Sequence, residues 1–160
     1  MSRDQNTNTA DSVLATLLIP LHEKQLVLPN VSVAEIIPFM DPKEIENSPD
    51  WFLGHIMWRD VSVPLISFEL INGDAAGSSS RTRRIAVLNG LLEGEEMPFC
   101  GIVIDGVPRL MRIIPSEIAL EESTSLGPSE LSNVLVSGEK ASIPDIDYFQ
   151  KKLHHFLTSI

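Results

Sequence analysis

Cysteine occurs once in the 160-residue sequence, at Cys100. No intrachain disulfide is available and no thiolate metal cluster can be assembled, which excludes a disulfide-stapled secreted scaffold and fits a reducing, cytoplasmic setting. Basic residues are scarce as well: 12 Lys and Arg against 22 Asp and Glu leave a formal charge of −10. That charge repels phosphate backbones and anionic membrane surfaces alike, so nucleic acid is not an expected partner. No apolar run approaches the roughly 20 residues that a membrane-spanning helix needs, and MSRDQNTNTADS at the N-terminus lacks the apolar core of a signal peptide. A soluble cytoplasmic protein without direct membrane insertion is the expectation. Aromatics make up only 6% of the chain, yet hydrophobic residues reach 43%, enough for one domain that buries about two thirds of its unfolded surface.

Residues 1–12 are polar and aperiodic and read as a disordered tail. From Val13 onward, short apolar runs alternate with turn residues, the mark of many short strands: LATLLIPL, LVLPNVSVAEII, RIAVLNG, PFCGIVID and VPRLMRIIP. Pro29 cannot donate to a ladder and is expected at an edge, bulge or turn. PFMDPKEIENSPD, with three prolines and four acids, reads as an ordered surface connection. Two strands are predicted to meet across Arg59-Asp60, followed by one helical turn at FELI. NGDAAGSSSRTR, residues 72–83, has the composition of a mobile loop. Further on, NVLVSGEKASIPDI reads as a hairpin around Ser137 to Lys140. The C-terminal DIDYFQKKLHHFLTSI spaces Tyr148 or Phe149, Leu153, Phe156 and Leu157 for a helix face, with Asp145 or Asp147 as N-cap.

A faint internal repeat accompanies this alternation. VSVAEIIP ends at Pro38 and RLMRIIP at Pro115, 77 residues later; VPLISF and IPDIDY lie 80 residues apart. Each half would then comprise a strand, a long polar connection and a hairpin, and two small barrels packed together are expected.

Residue types that carry chemistry are sparse. His154 and His155 are adjacent on the predicted helix and point about 100° apart, so they do not chelate as an i, i+4 pair would. No strand-to-helix elbow presents a serine nucleophile, and no Gly-rich phosphate loop follows a strand. Cys100 sits in PFCGIVI, an apolar setting that raises a thiol pKa and leaves it inert. No catalytic residue, cofactor or metal is therefore assigned, and binding becomes the leading role. WFLGHIMWRDVSVPLISF sets a polar turn between two apolar strands. Met57 and Trp58 occupy alternate faces of the first strand, so one of them is expected outside the core. Exposed Trp, Met and Arg are enriched at protein interfaces.

These segments resemble CheW-like coupling domains. WFLGHIMWRDVSVPLIS is similar to the family's strand, arginine turn and hydrophobic-Pro-hydrophobic strand; VSVAEIIP is similar to its Val-x-Glu-Ile strand, and FCGIVIDGV to its Gly-Ile-Val-Val-Asp-x-Val strand. The resemblance runs from about Val13 to Leu157. It implies a mainly β fold of two packed five-stranded barrels of the Src-homology-three type with a C-terminal helix, forming a single domain over residues 13–157. It also implies a non-catalytic adaptor that joins the cytoplasmic tip of a chemoreceptor to the regulatory domain of a CheA-type histidine kinase, and that is recruited to membrane receptor arrays through those partners. By resemblance, the family's receptor-contact positions correspond to Val33, Glu35, Gly54 and Arg59; together with the neighbouring Met57, Trp58 and Asp60 they make up the expected protein-binding surface.

Two features depart from the family pattern. Asn-Leu-Arg-Gly is usual at the turn, where this chain has Met57-Trp58-Arg59-Asp60; aspartate lacks glycine's freedom at positive φ, and Asp60 is expected to pair partly with Arg59. Among variants, the chain looks most like the ChpC-type accessory CheW proteins that serve type IV pili and twitching motility. An alternative from another class is a small-molecule or nucleotide-binding regulatory enzyme on a β-barrel scaffold.

Overall fold

A strand buried on one face alternates apolar with polar residues, whereas one buried on both faces is apolar throughout. The computed structural model, which describes residues 12–77, 80–90 and 97–160, shows the second case at the centre of both its sheets. The first sheet contains β1 (Leu14–Pro20), β2 (Gln25–Pro29), β8 (Arg109–Ile113), β9 (Ile118–Leu120), β10 (Glu130–Val136) and β11 (Glu139–Pro144), in the order β8-β1-β2-β11-β10-β9. The second contains β3 (Val33–Pro38), β4 (Phe52–Trp58), β5 (Val61–Ile66), β6 (Arg84–Asn89) and β7 (Phe99–Ile104), in the order β3-β6-β7-β5-β4. Among the described residues the α-helices are α1 (Phe68–Ile71) and α2 (Ile146–Ser159). The predicted mainly β fold with a C-terminal helix is thus present, although one sheet has six strands because β9 adds to the edge of β10.

Three apolar clusters explain the continuous runs. Ile85 and Val87 of β6 point into the second sheet's own core with Ile56, Trp58 and Val63, while Ala86 and Leu88 point the other way. In β1, Leu18 joins Val27, Ile113 and Val136, and Ile19 turns outward. The outward-turned sets, with Leu26, Leu28, Ile66 and Ile102, form a central cluster between the sheets together with Phe68, Phe149 and Leu153 of the two helices. Each central strand therefore serves one sheet's interior and the shared core at once. Burying a side chain of this size contributes about 1.5–3 kcal/mol, so the shared core fixes the two sheets against each other.

The inferred repeat is visible in the topology. In both sheets an antiparallel pair (β1–β2, β6–β7) is flanked on one side by β8 or β3 and on the other by a hairpin (β10–β11, β4–β5) joined through a parallel contact. The hairpin turns Arg59-Asp60 and Ser137-Gly138 lie 78 residues apart, as do the helix caps Ser67 and Asp145. The structural offset is therefore 78 at the hairpins rather than 80: the match of Pro64 with Pro144 was two residues out of step, since Pro64 lies inside β5 and Pro144 ends β11.

Local chemistry places the remaining elements. Ser67 caps α1 through its hydroxyl, which accepts from the Leu70 N–H at 3.2 Å, and Asp145 caps α2, accepting from Tyr148 N–H at 3.0 Å. Asp147 instead pairs with Lys151 one turn on. Pro29 ends β2. The 38–50 connection is tied down by paired backbone hydrogen bonds between Lys43 and His55, 2.8 and 3.0 Å. Ser78 and Ser79 of the 72–83 loop, the 91–96 segment and residues 1–11 lie outside the described residues.

Candidate functional site

The β4–β5 hairpin closes with two residues, and both have positive φ, 49° at Arg59 and 63° at Asp60. This is the twist that a two-residue connection between right-twisted strands requires, usually met by Asn-Gly. Asp60 adopts the conformation expected of the family's glycine at that place, and Arg59 shares it.

Alternation then sorts the strand before the turn. Trp58 points into the second sheet's interior, buried and edge-on to Phe99 with ring centroids 4.8 Å apart. Met57 points out and is 61% exposed. A buried indole needs an acceptor for its N–H, and Trp58 Nε1 donates to Glu35 Oε1 at 2.8 Å. The same oxygen lies 3.1 Å from Arg59 Nη2, and the guanidinium sits 4.8 Å from the centre of the Trp58 ring. Arg59 thus pairs with Glu35 rather than with Asp60, because the carboxylate already held by the indole lies across the sheet opening.

Glu35 reaches this position through a register shift. Between Val33 and Glu35 the β3–β6 pairing skips, Val33 opposing Leu88 and Glu35 opposing Val87, which leaves Ala34 as the extra residue of a β-bulge. Bulges re-aim side chains, and here Glu35 shares the inward face of Ile37 two residues later. β3 and β4 are the two edges of their sheet; the Glu35 contacts with Trp58 and Arg59 bring those edges together and curl the sheet on itself. Val33 is half-buried against the central cluster.

Gly54 has a different setting. It is buried four residues down β4 from Trp58, at φ 132°, and a Cβ there would stand 2.4 Å from the Lys43 carbonyl oxygen. Its lack of a side chain lets the 38–50 connection cross the strand, so its role in this chain is to position that connection. Glu35, Met57, Trp58, Arg59 and Asp60 are gathered at one end of the second sheet, with Val33 beside them on β3; Gly54 is not part of that group.

Residue patterns did not point to a second polar group, which ties the first sheet to the end of α1 and the segment after it. Glu130, buried, accepts from Ser142 Oγ at 2.6 Å, Gly127 N–H at 2.8 Å and Lys24 Nζ at 2.9 Å. Burial alone would raise its pKa, but these donors and the Lys24 charge pull it down to about 2. Lys24 also reaches Asp74 at 3.0 Å, and Asn72, at the end of α1, accepts from Ser129 N–H at 2.8 Å. Cys100 is buried beside Gln150, and burial pushes its thiol up to about 12. Among the described residues, no group of three or more His, Cys, Asp or Glu is placed to hold a metal ion, and no helix is long and apolar enough to cross a membrane.

Two interleaved sheets with a shared core, an arginine turn and a Glu-bearing edge strand define a CheW-like architecture. A family model described as the CheW-like domain matches residues 15–151, and the chain belongs to that family. Among solved structures, the scaffolding protein TtCheW from Thermoanaerobacter tengcongensis is similar, with a TM-score of 0.70 at 18% identity over 83% of this chain and 89% of that one. At that identity the likeness speaks for the fold. No curated protein matches the chain significantly by sequence.

Proposed function

We propose that this protein is a non-catalytic adaptor of chemosensory signalling that links the cytoplasmic tip of a chemoreceptor to the regulatory domain of a CheA-type histidine kinase. The observation that carries this reading is the end of the second sheet, where one carboxylate oxygen of Glu35 holds both Trp58 and Arg59. The arrangement presents a guanidinium, 68% exposed, beside the exposed Met57 in a fixed geometry. Rigid apolar and arginine contacts of this kind carry binding energy at interfaces. On this reading residues 13–157 act as one unit of two interleaved barrels, Val33, Glu35 and Met57 to Asp60 form the contact surface, and Gly54 supports it from below. The protein would reach membrane receptor arrays through its partners. Its turn, Trp58-Arg59-Asp60 in place of the usual Leu-Arg-Gly, supports a specialised accessory role of the ChpC type, serving type IV pili and twitching motility.

The test is a pull-down of the purified protein against candidate receptor fragments and kinase regulatory domains. Retention of both supports the reading. Retention of neither, in conditions where a standard CheW binds both, contradicts it.

A further inference from the structure

A cavity of about 500 Å³ opens between the 38–50 connection, α1 and the end of β7, and its lining includes neither the Arg59 turn nor Val33, Glu35 or Gly54. That volume falls within the range of small-ligand sites. Its apolar wall includes Phe52, Leu53, Leu70 and Ile104. Four carboxylates also line it: Glu44, Asp50, Glu69 and Asp105.

Glu69 is the telling member. It is 9% exposed, and its Oε2 accepts a hydrogen bond from the His22 backbone N–H at 3.2 Å. Asp105 Oδ1 accepts from Thr82 Oγ1 at 2.9 Å. None of the four carboxylates has an ion-pair partner among the described residues. Arg83, in the wall, lies 3.9 Å over the ring of Phe39 and donates from Nε to the Ser80 carbonyl. Glu69 lines the cavity beside the apolar wall, and an acidic side chain so placed favours a cation next to it over an anion. The acids do not converge on a point that would hold a metal ion. Dispersed negative charge around an apolar wall suits a cation with an apolar body instead.

We propose that this cavity binds a small organic cation, an ammonium or guanidinium group on an apolar frame, with Glu69 as the principal counter-charge and Phe52, Leu53 and Leu70 receiving the frame. The inference is independent of the adaptor reading, and neither depends on the other's test.

Three probes of nearly one shape separate charge from shape: phenethylamine, phenethyl alcohol and phenylacetate. Titration of the full chain, followed by calorimetry and by amide shifts at Leu53 and Leu70, is expected to show saturable binding of the amine alone. Glu69→Gln keeps an acceptor for the His22 N–H while removing the charge, and is expected to weaken the amine by roughly tenfold or more. Asp50→Asn, at an exposed position, gives a second reading that does not disturb α1 and is expected to weaken it several-fold. Equal binding of the three probes, preference for phenylacetate, no amine binding up to about 10 mM, or unchanged affinity in a folded Glu69→Gln or Asp50→Asn protein would each overturn the proposal.

Discussion

Glu35 and Arg109 close their two sheets in the same manner with opposite charge. Each lies on the flanking edge strand, β3 or β8, opposite a residue of the barrel interior, Val87 or Leu18. Each reaches the tip of the hairpin in its own sheet: Glu35 to Arg59, and Arg109 to Glu139 through a two-pronged contact at 2.6 and 2.8 Å. The repeat thus uses one closing device twice, with acid and base exchanged. Only the second sheet adds a buried indole to the pair, which makes Glu35 the more consequential of the two.

Glu35 has two jobs that substitution separates. Glu35→Gln keeps an acceptor for Trp58 and loses only a solvent-exposed ion pair, so it should cost less than about 1 kcal/mol. Glu35→Ala leaves the buried indole N–H without its partner and should cost about 1–3 kcal/mol. Urea denaturation of both variants decides the matter; equal losses would show that the indole contact contributes nothing.

The turn carries strain that glycine would relieve. Positive φ at Asp60 disfavours an L side chain, so Asp60→Gly should stabilise the fold by up to about 1 kcal/mol after the entropy of glycine is counted and so raise the denaturation midpoint. A lower midpoint would mean that the aspartate side chain holds the turn by a contact that glycine cannot replace.

Gly54→Ala should be among the most damaging single changes. The added Cβ would meet the Lys43 carbonyl at 2.4 Å and the backbone would be held at φ 132°; together these should cost more than about 2 kcal/mol. Thermal unfolding and proteolysis of the 38–50 connection would report it. An unchanged melting temperature would contradict the structural role given to this glycine.

Much of this was legible in the sequence, for reasons that differ between elements. Strands buried on both faces announce themselves as unbroken apolar runs, so β1, β6 and β7 were found directly. Met57 and Trp58 were known to face opposite ways, but not which faced inward, because that depends on Phe99 and Glu35 from distant strands. The role of Glu35 came from the family resemblance; a lone acid at the inward period of an apolar strand, two before Ile37, was the signal in the residues themselves. Gln150 stands fully buried on α2 although its face was read from Leu153 and the aromatics alone. Glu69, Asn72, Ser129 and Glu130 were invisible for the same reason. Buried polar groups look like loop residues until the fold supplies their partners.

Acid should loosen the polar group around Glu130 in the first sheet. Glu130 has a folded pKa of about 2 against an ordinary 4.5, so its contribution is complete above about pH 4.5 and is lost as pH falls towards 2. Lys24 is raised above its usual value, since its bonds to Glu130 and Asp74 outweigh the opposing effect of burial; its contribution is complete below its ordinary pKa of 10.5 and fades as pH rises through the folded value. Stability followed from pH 7 to 2 should drop more steeply for the wild type than for Glu130→Gln over the lower half of that range. Parallel curves would remove Glu130 from the account.

The central claim, recognition by the Arg59 turn, is tested most directly by the affinity of Arg59→Glu for a receptor tip or kinase regulatory domain that the wild type binds, measured beside its melting temperature. An exposed turn charge contributes little to folding, whereas a contact arginine contributes about 1 kcal/mol or more to binding. The account predicts affinity reduced at least about fivefold with the melting temperature nearly unchanged. Unchanged affinity for both partners, or loss of binding only in step with loss of the fold, would contradict it.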